Sequence, residues 1–138
     1  MTIEYRINTP ISGEQFRELL SHTSLGPRRP LHDQTCIDHM AANGNLLVTA
    51  WQDNQLVGVA RSVTDFAFAC YLSDLAVHEE CQRMGIGKEL IRLTQAELGP
   101  HCKIILLAAP AASEYYGPLG FEKSERCWTL ARDAVVAG

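Results

Sequence analysis

Ile3, Tyr5 and Ile7 alternate with polar residues, the period-two mark of a strand, and Pro10 closes the run. The spacing then turns helical. Phe16, Leu19 and Leu20 make an apolar stripe, Ser12 stands where a helix cap belongs, and Gln15 three residues on completes a capping box. Gly26-Pro27-Arg28-Arg29-Pro30 cannot continue a helix and predicts an exposed loop. A second short helix is expected near residues 33–42, ended by Asn43-Gly44-Asn45.

Residues 46–51 and 55–64 read as two strands joined at Asp53-Asn54, with Val57, Val59, Arg61 and Val63 on one face of the second. Residues 70–77 form the next strand. A helix follows, with Ile86, Leu90 and Leu93 at i, i+4 and i+7, and Gly99-Pro100 stops it. Residues 103–109 are apolar on both faces, as in a central strand that completes a β-α-β crossover. A short helix over 112–116 and two strands, about 121–125 and 127–131, finish the chain. With no internal repeat, linker or low-complexity tract, residues 1–138 are expected to form a single domain of the α/β class with a mixed sheet.

Composition narrows the functional classes. The apolar runs 104–112 and 131–137 fall short of the roughly 20 residues that span a bilayer, so no membrane segment is expected. Met1-Thr2-Ile3-Glu4-Tyr5-Arg6 carries no export or transit pattern, and a cytoplasmic location is expected. The five cysteines form no C-x-x-C pair and read as buried, reduced thiols. A net charge of −4 excludes the usual basic nucleic-acid binder. The five histidines are scattered; His78 with Cys81 gives only H-x-x-C, so no metal site is expected and the histidines read as surface residues. Trp51 and Trp128 are expected to fill the core.

The most informative stretch runs from the strand end Leu75-Ala76-Val77 through Gln82-Arg83-Met84-Gly85-Ile86-Gly87-Lys88 into a helix. Glycine lets the main chain approach a ligand, and free N–H groups with the helix dipole favour a phosphate; Arg83 and Lys88 add charge. A Walker A loop would need Gly at Gln82 and Ser or Thr at Glu89, and a dinucleotide fingerprint from Gly85 would need Gly or Ala at Leu90, so neither nucleotide motif is satisfied.

The segment resembles the coenzyme A loop of the GNAT acyltransferases, Q/R-x-x-G-x-G/A after an "L-A-V"-like strand end, matched by Gln82, Gly85 and Gly87. Downstream, residues 112–121 resemble the family ending "A-x-x-x-Y-x-x-x-G-F", with Tyr116, Gly120 and Phe121 in register, and Gly58 of "L-V-G-V-A-R" also fits the family's element order. The resemblance implies a mostly antiparallel, mixed sheet of six to seven strands, helices on both faces and a central β-α-β coenzyme unit. It also implies acetyl-CoA as co-substrate, held by Leu75, Ala76 and Val77 along the strand and by Gln82, Arg83, Met84, Gly85, Ile86, Gly87 and Lys88 in the loop. Tyr116 is implied as the acid that protonates the departing thiolate. The acceptor would be a small-molecule or peptide amine, without nucleic acid or membrane, and a homodimer is among the assemblies the family uses. Many relatives carry Asn where Ala109 stands, so the stretch Ala108-Ala109-Pro110 is expected to pack on the thioester arm instead.

The base that takes the amine proton is left open among Asp74, Tyr71, Ser73 and water, with Asp74 equally a partner for Arg61. Arg28 and Arg29 fit either a solvated turn or an anion clamp. The alternative to turnover is a GNAT-like module that binds coenzyme A for sensing or interaction.

Overall fold

The computed structural model describes residues 2–138. Its order is β1 (Glu4–Ile7), α1 (Gly13–Ser21), α2 (Gln34–Asn43), β2 (Leu46–Gln52), β3 (Gln55–Thr64), β4 (Ala69–Val77), α3 (Ile86–Ala96) and β5 (Lys103–Ile105). The strands form one sheet in the order β1-β2-β3-β4-β5, antiparallel from β1 to β4 and parallel between β4 and β5. α3 is therefore the crossover of a β-α-β unit. Ser12 accepts from the Gln15 N–H at 3.0 Å and the Gln15 side chain accepts from the Ser12 N–H at 2.9 Å, so the capping box forms as expected. Asp53 and Asn54 both take positive φ, the geometry that a two-residue hairpin requires.

Two apolar clusters occupy opposite faces of the sheet. Phe16, Leu19 and Leu20 of α1 and Ile37 of α2 pack with Leu47, Trp51, Val59 and Ala76 on one side. Ile86, Leu90 and Ile91 of α3 pack with Val48, Ala50, Val57 and Leu72 on the other. Val57 and Val59 thus face opposite ways, contrary to the expected single face. The cause is a register shift in which Ala50 pairs with Gly58 while Trp51 pairs with Leu56, leaving Val57 as the extra residue of a bulge.

Beyond α3 the structure departs from the expectation. β5 has three residues, not seven, is half-exposed, and lies at an edge of the sheet, so it is not a buried central strand. The helix expected over 112–116 is replaced by short 3-10 turns at Pro110–Ala112 and Gly117–Leu119, each with a proline at its start where no N–H is needed. Residues 121–125 and 127–131 form no strand among the described residues, so the sheet has five strands where six to seven were implied. Phe121 is the one apolar anchor in 121–126; Glu122, Lys123, Glu125 and Arg126 give that segment no face to bury. Trp128, 92% exposed, stays out of the core, whereas Trp51 is buried and donates its indole N–H to Thr49 at 2.7 Å. Of the cysteines, Cys70 and Cys81 are buried, Cys36 and Cys102 partly so, and Cys127 is exposed; all are free thiols.

Candidate active site

The site starts where two strands part. Among the described residues, β4 and β5 pair only from Ala69 with Lys103 to Tyr71 with Ile105, and no strand lies against the far edge of residues 72–77. Backbone groups point to alternate sides along a strand. Since the His78 N–H donates to Val57 on β3, the main-chain groups of Ala76 also turn toward β3, while those of Leu75 and Val77 turn to the open edge. The Val77 carbonyl shows this directly, accepting the Gln82 side-chain amide at 2.8 Å. Gln82 thus folds the loop back onto the strand.

Left-handed backbone at Arg83 (φ 64) and Gly85 (φ 76) turns the chain into α3, and Gly85 caps the helix without a side-chain acceptor. The first intrahelical bond runs from Glu89 N–H to the Gly85 carbonyl. Four N–H groups, those of Gly85, Ile86, Gly87 and Lys88, therefore end the helix without intrahelical partners. A Cβ on Gly87 would lie 2.6 Å from the Tyr115 hydroxyl oxygen, so glycine here lets the tyrosine pack against the first turn of α3. Arg83, Met84 and Lys88 are exposed around it, and neither Arg83 nor Lys88 has an ion-pair partner among the described residues.

The two tyrosines occupy different places. Tyr116 is half-buried against the α3-side cluster, edge-on to Tyr115 at 5.1 Å and to Phe121 at 5.4 Å. Gly120, at φ 102, reverses the chain so that the Phe121 N–H returns to the Tyr116 carbonyl. Burial, and then the neighbouring Tyr115, push the Tyr116 phenol above its usual value, so it stays protonated through neutral pH. Its hydroxyl has no hydrogen-bond partner among the described residues and is not a buried orphan. Tyr115 is more exposed, and its hydroxyl stands at Gly87; sequence register alone gave it no place at the glycine loop. Ala109 packs on the α1 and α2 side of the sheet.

On that same side, Asp74 is buried and accepts from Arg29 Nε at 2.5 Å and Arg61 Nε at 2.6 Å. Arg61 also donates to Ser73 Oγ at 3.0 Å and to the Met40 carbonyl at 3.2 Å. A bulge at Ser73 makes this possible, since Arg61 pairs with Asp74 while Ser62 pairs with Leu72. The turn Gly26–Arg28 is therefore not simply an exposed loop: its next residue, Arg29, is drawn onto β4 across 45 positions of sequence. A buried mid-strand aspartate was the available signal, because it demands countercharge. His22 and His78, expected as separate surface residues, stack with ring centroids 4.8 Å apart, and the Glu79 N–H donates to the His22 carbonyl. No cluster of three or more metal-ligating side chains occurs among the described residues.

Residues 20–128 match the family model described as an acetyltransferase (GNAT) domain, and the chain belongs to that family. A curated relative from Pyropia yezoensis, named uncharacterized N-acetyltransferase ycf52, is 32% identical over 90 residues, 59% of this chain and 50% of its own length. An Arabidopsis thaliana relative, GCN5-related N-acetyltransferase 2, chloroplastic, is 36% identical over 76 residues, 51% of this chain and 28% of its own length. The chain thus spans about half the length or less of these two relatives. The fold is shared with the aminoglycoside N-acetyltransferase AAC(6')-Iy, solved with CoA, at a TM-score of 0.69 and 18% identity over 96% of both chains.

Proposed function

We propose that the protein is an acetyl-CoA-dependent N-acetyltransferase acting on a primary amine by direct attack. The observation that carries this reading is the junction of the open β4 edge with four unpaired N–H groups at Gly85, Ile86, Gly87 and Lys88. The residues fit a pyrophosphate: the donors converge on one helix end, Gly85 has open space where a Cβ would stand, and Arg83 and Lys88 supply unpaired positive charge. Main-chain groups of Leu75 and Val77 would hold the pantetheine arm, with Ala76 fixing the strand through β3. Gln82 and Met84 border the loop.

Acetyl-CoA supplies the activated acyl group. The amine nitrogen bonds to the acetyl carbon, the carbon–sulfur bond breaks, the amine proton leaves to water or a nearby base, and the thiolate takes a proton from Tyr116. The Val77 N–H, turned to the open edge, would stabilise the oxyanion that forms on the way. Asp74 is a poor base on this reading, because both its oxygens already accept from guanidinium groups. Tyr116, neutral and with its hydroxyl unengaged, favours turnover over a module that only binds coenzyme. Among the described residues no helix is long and apolar enough to cross a membrane, and a reducing compartment such as the cytoplasm suits five free thiols. Thiol release from acetyl-CoA against a panel of amines tests the proposal; CoA binding without thiol release from any amine would sink the enzyme reading and leave the binding module.

A further inference from the structure

We infer that the amine acceptor also carries a carboxylate, and that Arg29, with Arg28 beside it, receives that group. This rests on the acetyltransferase reading and adds the class of acceptor. The charges around Asp74 do not balance. Asp74 is a single carboxylate shared by two guanidinium groups, Arg29 and Arg61, and no other carboxylate pairs with either among the described residues. One positive charge is left over. Arg61 is buried, so it cannot present that charge to a ligand; Arg29, with a fifth of its side chain exposed, can.

The donor count points the same way. Arg29 has five N–H donors. Its Nε serves Asp74, one terminal nitrogen serves the Ser73 carbonyl at 3.0 Å, and the other serves the Arg28 carbonyl at 3.0 Å. Each terminal nitrogen keeps a second hydrogen, a pair that suits the two oxygens of a carboxylate. Asp74 and Ser73 fix the plane of the group, so little side-chain freedom is lost when an anion arrives. Arg28 next to it is exposed, with no ion-pair partner among the described residues. The location is what makes this an acceptor contact: Ser73 and Asp74 directly precede the Leu75 to Val77 stretch whose open edge is proposed to carry the thioester, and they are reached from the α1–α2 side.

The test uses amines paired as acid and amide, with kcat/KM expressed per neutral amine because the amide also makes the amine less basic, and with acetyl-CoA saturating: glycine against glycinamide, lysine against lysinamide, a Gly-Gly-Glu peptide against its Gly-Gly-Gln counterpart, and spermidine. The carboxylate partner of each pair should have a kcat/KM about 10- to 100-fold higher, the range expected for hydrogen bonds to a charged group. Arg29→Lys, which keeps charge but loses the fork, should erase most of that preference without changing the KM for acetyl-CoA; Arg28→Ala should erode it in part. The free amino acids and the peptide separate a small-molecule acceptor from a protein one. Equal use of acid and amide, or spermidine as the best acceptor, overturns the inference while leaving the acetyltransferase reading in place. If no amine is turned over, titration of the wild type and Arg29→Lys with N-acetylglycine and N-acetylglycinamide still decides it: the acid should bind at least 10-fold tighter to the wild type alone. Equal binding of the two, in that case, overturns it.

Discussion

Two side chains, Tyr116 and Asp74, carry the sharpest tests. Tyr116→Phe removes only a hydroxyl without a hydrogen-bond partner among the described residues, so stability and CoA affinity should hold while kcat falls by about 10² to 10⁴, the usual contribution of general acid catalysis. Steady-state kinetics with CoA binding measured alongside checks both halves. The sign of the pH effect is fixed by burial: the folded phenol titrates above its ordinary value of about 10, so the acid form persists across the working range. Rate should climb with pH as the amine loses its proton, with no falling limb below about pH 10 that depends on Tyr116. A falling limb near neutral pH that vanishes in Tyr116→Phe would contradict this. Asp74→Asn makes the opposite kind of prediction. Leaving two guanidinium groups against a neutral amide should cost about 3–5 kcal/mol of stability in chemical denaturation, as for other broken buried pairs. A variant that is fully stable and merely slow would instead mark Asp74 as the base.

At the level of elements, α3 is tied to the sheet through glycine. A Cβ on Gly58 would meet Ala50, Ile86 and Leu90 side-chain atoms at 3.2 Å each, so Gly58→Val should cost about 1–3 kcal/mol by overpacking, readable as a lower denaturation midpoint. Gly87→Asp should leave the fold and abolish CoA binding, because its carboxylate would meet the Tyr115 hydroxyl and repel phosphate; unchanged affinity by calorimetry would unseat the loop. The elements that sequence made plain were those with a signal of their own: the Ser12–Gln15 box of α1, the Asp53-Asn54 turn, and the Ile86–Leu90 spacing of α3. Those it misjudged depend on neighbours. Residues 103–109 are apolar enough for a central strand, yet whether such a strand is central is decided by what pairs beyond it, and the charged residues 122–126 supply no apolar face. The candidate site divides likewise. Gln82, Gly85 and Gly87 are adjacent in sequence and could be read together, whereas Arg29 and Asp74 lie 45 positions apart and meet only after the Ser73 bulge turns the aspartate inward.

Across the whole molecule, the parting of β4 from β5 leaves the sheet with an unfinished side that a bound molecule would complete. CoA at about 100 times its Kd should raise unfolding free energy by about 2.7 kcal/mol, and Gly87→Asp should lose that gain. Thermal melts with and without CoA measure it. The stacked His22 and His78 rings, with the Glu79 N–H on the His22 carbonyl, matter at this scale too, because they clasp the end of α1 to the first residues after β4. The turn that carries Arg28 and Arg29 hangs from α1, and the glycine loop hangs from β4, so the two substrates would arrive on opposite sides of one joint. If coenzyme occupying the loop steadies this joint, coenzyme should bind first and acceptor second. Amide hydrogen exchange over residues 22–29 should slow when CoA alone is added, and initial-rate patterns should show the acceptor unable to bind productively until it has been.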